Sequence, residues 1–113
     1  MNEVEIMMSE VVKKLSMTKE YNQYHNLLSR IKEQPELYHR IGDFRRRSLS
    51  LRMSENGNAI HEMNNLQNEF RDLQTNGLAS DFLAAEHQYC RMISGLQTMF
   101  LDGAEVDTGF LDQ

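Results

Sequence analysis

The chain has 113 residues, of which 40% are hydrophobic, and carries a formal net charge of −5. This length suits one domain. The acidic net charge argues against bulk nucleic-acid binding. The single cysteine excludes an intramolecular disulfide. The first residues lack the basic segment and cleavage site of a signal peptide, and no apolar run approaches the roughly 20 residues that cross a bilayer. We therefore expect a cytoplasmic protein.

Two amphipathic helices are predicted before the only proline. Apolar residues recur every three or four positions in both, which is typical of a helix with one buried face. The first stripe consists of Val4, Met8, Val11 and Leu15, and the second of Tyr21, Tyr24, Leu28 and Ile31. Ser16 or Thr18 is expected to cap the second helix, because a short hydroxyl can accept a bond from a free backbone N–H group.

Pro35 is expected to begin a third helix, because its fixed φ and missing N–H suit a first helical turn. The stripe of this helix consists of Leu37, Ile41, Phe44, Ser48 and Leu51. Glu36 and Arg40, and likewise Asp43 and Arg47, are spaced four residues apart with the acid first. This is the favourable orientation for an ion pair on the exposed face of a helix.

Two further helices are predicted, each preceded by a turn. Ser54–Asn58 forms the first turn, with Gly57 left-handed, and Gly77 is expected to end the fourth helix in the same way. The fourth stripe consists of Ala59, Met63, Leu66, Phe70 and Leu73. The fifth consists of Phe82, Ala85, Tyr89, Met92, Leu96 and Met99, widened by Leu83, Ile93 and Phe100. A stripe of this width indicates contact with more than one neighbouring helix.

These elements predict an all-α fold: an antiparallel bundle of about five helices, with a long helical hairpin around the turn at Asn56 and Gly57. Short connections between consecutive helices favour antiparallel neighbours. Residues 1–102 would form this single bundle domain, and residues 103–113 an acidic, loosely ordered tail.

Catalytic signatures are absent from the sequence. It contains no phosphate-binding glycine loop, no Gly-x-Ser-x-Gly elbow and no His-Glu-x-x-His motif. Glu36 and His39 form one Glu-x-x-His motif, but a di-metal bundle site requires a second. Cys90 is expected to be a small apolar filler. We therefore predict no catalytic residue, no metal and no cofactor, although a metal- or thiol-dependent enzyme built on these three residues stays open as a third hypothesis.

The densest charge cluster lies on the third helix. It consists of Arg40, Arg45, Arg46, Arg47 and Arg52. Three consecutive arginines spread around most of a helix, so a solvated face is the simpler interpretation. Docking of a protein partner is the second interpretation, and these five residues are the predicted partner-binding site. RNA contact is the least favoured, because no aromatic residues interleave the arginines for stacking on bases.

Three segments carry a resemblance to a known family. They are the join Leu15–Tyr21, the acidic helix from Pro35 to Phe44, and the segment Asn76–Glu86 at the start of the last helix. Over roughly residues 9–101 the chain resembles the YlbF/YmcA family of small bacterial regulators, including its YheA-like branch. The resemblance implies an all-α, usually self-associated protein without enzymatic activity.

Family members are accessory subunits that assemble with sister proteins, and they influence competence, sporulation and biofilm formation in Gram-positive bacteria. They also associate with the RNA-decay machinery. Some carry a cysteine-rich tail tied to iron–sulfur clusters. This chain has only Cys90, so no cluster is expected here.

The leading hypothesis is a non-catalytic regulatory or adaptor subunit that acts through helix-mediated protein association. Its expected partners are a second copy of itself, with a dimer favoured, and sister family proteins. No membrane or direct DNA binding is expected. The alternative is an RNA-decay accessory factor that contacts RNA or a ribonuclease through the helix from Arg40 to Arg52.

Overall fold

The computed structural model describes residues 2–53, 59–105, 107 and 109–112. Six α-helices and one short 3₁₀ helix occur in these ranges, without a strand, so the predicted all-α fold is confirmed. The helices are α1 (Glu3–Leu15), α2 (Lys19–Lys32), α3 (Pro35–Met53), α4 (Ala59–Glu69), α5 (Arg71–Thr75) and α6 (Gly77–Ala104), followed by the 3₁₀ helix Gly109–Asp112. The division into a bundle domain and a loosely ordered tail stays a prediction.

Side chains cap the starts of α2 and α6. Thr18 Oγ1 accepts a hydrogen bond from the N–H of Tyr21 at 3.2 Å, so Thr18 is the cap of α2. Asn76 Oδ1 accepts one from the N–H of Ala79 at 3.0 Å and caps α6. Each cap satisfies one of the backbone donors that a helix start leaves without a partner.

The prediction that Gly77 ends a helix in the left-handed conformation is wrong. Asn76 is extended, with φ −85° and ψ 114°, and Gly77 is the first residue of α6. Because the capping bond of Asn76 joins the two helices directly, no left-handed residue is needed between them. Among the described residues only Glu105, at the end of α6, has a positive φ, of 56°. The turn predicted at Ser54–Asn58 lies outside the described residues.

The fourth predicted helix is interrupted at Phe70, which separates α4 from α5. Phe70 has φ −105° and ψ 25°, and the N–H of Leu73 donates to the carbonyl oxygen of Phe70, three residues back, at 3.0 Å. Arg40 of α3 donates to the carbonyl oxygen of Glu69 at 2.9 Å, which satisfies an acceptor at the end of α4. The apolar spacing continues across the break, so the sequence pattern gave no sign of it.

The core lies where α2, α3, α4 and α5 meet the first half of α6. It consists of Ile31, Ile41, Leu66, Phe70, Leu73, Ala79 and Phe82. The ring of Tyr24 on α2 stacks 5.7 Å from that of Phe82, and the ring of Tyr21 lies 6.0 Å from that of Tyr89. Earlier residues of α2 therefore face later residues of α6, and the two helices run antiparallel.

The chain as a whole is extended rather than compact. Its radius of gyration is 17.7 Å and its principal extents are 48 × 40 × 19 Å, whereas a compact domain of this length has a radius of about 13 Å. Among the described helices, none combines the length and apolar character needed to span a membrane. Helical segments therefore project beyond the core that the chain makes for itself.

Candidate protein-interaction surface

Two of the five predicted partner-binding arginines hold the break between α4 and α5 against α3. Arg40 pairs with Asp72 at 3.0 Å and Arg47 pairs with Glu69 at 2.6 Å. Both guanidinium groups lie over the ring of Phe70, at 4.0 and 5.4 Å from its centroid. From the sequence, Arg40 and Arg47 were expected to pair with Glu36 and Asp43, four residues earlier on α3. That prediction is wrong, because stacking on the buried ring directs both arginines across to the facing helices.

These two ion pairs shift the pKa values of their carboxylates. The hydrogen bond from Arg40 lowers the pKa of Asp72, and the hydrogen bond from Arg47 lowers the pKa of Glu69. All four side chains remain substantially exposed, and exposed pairs contribute little to stability individually. Their effect is mainly positional: they connect α3 to the end of α4 and to α5.

Arg45 is engaged in a more buried contact. Its Nη2 atom lies 2.5 Å from Oε2 of Glu86, a residue of α6. The side chain of Glu86 is 18% exposed. The contact is an ion pair in which Oε2, itself shielded from solvent, receives no well-directed hydrogen bond. Burial raises the pKa of Glu86, although Arg45 opposes the shift. Burial, and then the Glu86 carboxylate, raise the pKa of Tyr24.

Replacement of Glu86 by Gln should alter the pH dependence of stability. The folded chain raises the pKa of the Glu86 carboxyl above its ordinary value of 4.5. The stability that this carboxyl contributes is therefore fully present below pH 4.5, and it is lost as the pH rises through the folded pKa. Glu86→Gln should therefore gain stability relative to the wild type as the pH rises from 4.5 through the folded pKa. Urea unfolding of both proteins across this range measures the difference. Glu10→Gln on exposed α1 is the control, and a difference that stays constant with pH would contradict the prediction.

The remaining two arginines face solvent. Arg46 pairs with Asp43, one turn earlier on α3, and Arg52 is exposed near the end of that helix. Four of the five predicted arginines thus take part in ion pairs within the chain. Contact of these residues with a partner stays a prediction.

The residues of the enzyme hypothesis are not brought together. Glu36, His39 and Cys90 are all exposed, and the prediction that Cys90 fills an apolar gap is wrong. In the part of the chain that the structure describes, no three His, Cys, Asp or Glu side chains are grouped as metal ligands.

Helix α1 buries no residue at all. Val4, Met8 and Val11, predicted to face the core, are 70%, 42% and 49% exposed, and Leu15 is half-buried. Apolar residues outside the predicted stripe are exposed as well: Ile6, Met7 and Val12. The stripe is amphipathic as predicted, but in the part of the chain that the structure describes no element buries it.

The second half of α6 is uncovered in the same way. Every residue from Ile93 to Glu105 is exposed. Leu96 and Met99, predicted to be core residues, are 41% and 70% exposed, and Phe100 is 55% exposed. The cause is length: α6 has 28 residues and α2 has 14, so α2 spans about 21 Å of a helix about 42 Å long.

The join between α1 and α2 lies beside the point where α6 leaves the core. The contact between Tyr21 and Tyr89 places the start of α2, and with it the join to α1, at the level where α6 leaves the core. We call the exposed apolar residues of this region the apolar end. It consists of Val4, Ile6, Met7, Met8, Val11 and Val12 of α1, with Ile93, Leu96, Met99, Phe100 and Leu101 of α6.

Comparison with known proteins gives one match. The sequence model of the family described as control of competence regulator ComK, YlbF/YmcA, matches residues 4–102, most of the chain. The chain belongs to the YlbF/YmcA family. This confirms the resemblance inferred from the sequence, and the family's description supports a regulatory role. No curated protein and no solved structure gives a significant match.

The YlbF/YmcA match includes both halves of the apolar end, because it begins at Val4 and ends at Asp102. Sequence reasoning placed seven of these eleven residues on predicted apolar stripes and assigned them to the core of the single chain; Ile6, Met7, Val12 and Leu101 were not among them. Apolar periodicity shows that a helix face is buried, not which chain buries it. One sequence signal could have indicated this exposure. The last predicted helix is longer than any other predicted helix, so no neighbour in the chain could cover its whole length.

Proposed function

We propose that this chain is a non-catalytic regulatory subunit that acts by associating with other proteins through the apolar end. The observation that carries the proposal is the exposure of large apolar side chains on α1 and on the second half of α6. Large apolar side chains grouped on an exposed helix face are typical of protein interaction sites. The methionines within it suit an adaptable surface.

The stability of α1 supports the same proposal. It has 13 residues, none of them buried, and isolated helices of about 12–15 residues are marginal in water. Most helical stability in proteins comes from packing of the apolar face. A partner that covers the stripe would supply that packing.

The regulated process is proposed from the family. Its description names control of the competence regulator ComK, and the family resemblance adds sporulation and biofilm formation. We propose sister family proteins and further copies of this chain as the partners, in the cytoplasm. The alternative, an RNA-decay factor acting through the arginines of α3, gains no support because four of the five are engaged in ion pairs.

A pair of matched substitutions tests the proposal. Leu96 in the apolar end is 41% exposed, and Leu49 on α3 is 58% exposed. Leu96→Glu should weaken capture of native protein partners by tagged chain at least about tenfold, because it places a charge in an apolar interface, whereas Leu49→Glu should leave capture unchanged. Both variants should keep wild-type helicity by circular dichroism. Equal capture by the Leu96→Glu variant and the wild type would exclude the apolar end as the association surface.

A further inference from the structure

We propose that residues 59–75 form a conformational switch, which is broken at Phe70 while the Arg40 side chain is bound there and becomes one continuous helix when that side chain is withdrawn. The break separates α4 from α5. The inference is independent of the proposed function, because none of these residues belongs to the apolar end. Three observations carry it: the donors at the carbonyl oxygen of Glu69, the apolar face that the two helices share, and the exposure of the Arg40 ion pair.

The hydrogen bonds at the break differ from those of an unbroken helix by an exchange of donors. In an unbroken α-helix, the carbonyl oxygen of Glu69 accepts from the N–H of Leu73, four residues later. Here that N–H donates to the carbonyl oxygen of Phe70 at 3.0 Å, and Phe70 lies outside both helices. Nη2 of Arg40 donates to the Glu69 oxygen at 2.9 Å. The arginine therefore takes the place of the backbone donor.

Further contacts hold the Arg40 guanidinium in this place. Nη2 and Nε donate to the two carboxylate oxygens of Asp72, at 3.0 and 3.3 Å. A two-point contact of this kind fixes the orientation of the guanidinium as well as its position. The same group lies 4.0 Å from the centroid of the Phe70 ring. One side chain of α3 thus stabilises the broken form through residues on both sides of the break.

A continuous helix would keep the same residues in the core. Leu66, Phe70 and Leu73 are all buried, and their spacing of four and three places them on one face of an unbroken helix. Residues 59–75 include neither proline nor glycine, the two residue types that oppose a helix most strongly. Once Arg40 leaves, the N–H of Leu73 can return to the Glu69 oxygen, so neither group loses its partner. The two forms then differ mainly in the contacts of one arginine.

Ionic strength is expected to drive the switch. The side chains of Arg40 and Asp72 are 38% and 58% exposed, and salt screens an ion pair that solvent reaches. The backbone bond that replaces it joins two uncharged groups, so salt affects that bond much less. Only Asn76 separates α5 from α6. A change in the direction of α5 therefore also turns the start of α6 relative to α4.

NMR couplings across hydrogen bonds, measured on the isotope-labelled full chain, identify the carbonyl group that accepts from the Leu73 N–H. In the unmodified chain this N–H should couple to the carbonyl carbon of Phe70. Arg40→Met keeps a long side chain but removes the charge and every donor. In this variant the coupling to Phe70 should be lost and a coupling to Glu69 should appear. Arg47→Met is the matched control, because Arg47 also lies over the Phe70 ring but contacts the carboxylate of Glu69 rather than its carbonyl oxygen. It should keep the coupling to Phe70.

A salt series on the unmodified chain tests the same exchange without a substitution. Raising the salt concentration from about 0.1 M to about 1 M shortens the screening length from about 10 Å to about 3 Å. The Cα chemical shift of Phe70 should then move toward its value in a continuous helix, and a shift that does not move would overturn the switch even if Arg40→Met fails to fold. A coupling to Phe70 that persists in folded Arg40→Met would overturn it too, as would loss of that coupling without a new one to Glu69. An equal change in Arg47→Met would show that the contact with the carbonyl oxygen is not the cause.

Discussion

Phe82→Ala is expected to lower the free energy of unfolding by about 3–5 kcal/mol. Phe82 is completely buried in the first half of α6, where its ring stacks on Tyr24 at 5.7 Å and the guanidinium of Arg45 lies 5.7 Å from its centroid. Truncation removes the largest buried side chain from the contact between α2 and α6 and leaves a cavity. Domains of this size are stable by only about 5–15 kcal/mol, so the variant should be close to unfolding at physiological temperature.

Phe100→Ala is the matched control, because it makes the same chemical change on the same helix. Phe100 is 55% exposed, so its truncation should change the unfolding free energy of the dilute chain by less than about 1 kcal/mol. Its effect should appear in association instead. Urea unfolding followed by circular dichroism, at a concentration low enough to keep the chain monomeric, measures both variants. Equal destabilisation by the two substitutions would contradict the boundary drawn between the core and the apolar end.

Removal of α1 is expected to abolish association while the core stays folded. A chain beginning at Met17 lacks a helix that buries no residue and keeps Thr18, whose hydroxyl caps α2. Because α1 supplies half of the apolar end, affinity for partners should fall at least about a hundredfold. The unfolding midpoint of the dilute chain should change little.

A second truncation makes this test specific. Removal of residues 106–113 also deletes exposed apolar side chains, Phe110 and Leu111, but leaves the apolar end intact. Self-association and partner capture by this variant should match those of the full chain. Pull-down and sedimentation of the two truncations, with urea unfolding alongside, distinguish the outcomes. If the chain lacking α1 fails to fold, α1 contributes to the core; if it associates normally, the apolar end is not the interface.

Much of the fold could be predicted from spacing alone. The stripes of the second to fourth predicted helices placed Ile31, Ile41, Leu66 and Leu73 in the core, and all four are buried. Local chemistry was equally informative at Thr18, since an N-cap depends only on a short side chain and the next backbone donors. The break at Phe70 could not be predicted from the spacing, because the apolar period continues across it and the contact that accompanies it, from Arg40 to the carbonyl of Glu69, joins residues far apart in the chain.

The candidate site was only partly accessible to sequence reasoning. The arginines of α3 stood out as a charge cluster, but charge density does not reveal that Arg45 lies against Glu86 or that Arg47 lies against Glu69. Such pairs join residues far apart in the chain and depend on how α3 is rotated against its neighbours. Most residues of the apolar end were recognised as members of apolar stripes, yet their exposure follows from the arrangement of whole helices.

The sequence by itself determined that this protein is all-α, which residues lie on the apolar face of each helix, and which family it belongs to. These properties follow from local periodicity and residue type. Only the tertiary structure decided which apolar faces the chain covers for itself. The reason is geometric: α2 is half as long as α6 and runs beside its first half, so among the described helices α2 ends before it reaches Leu96 and Phe100.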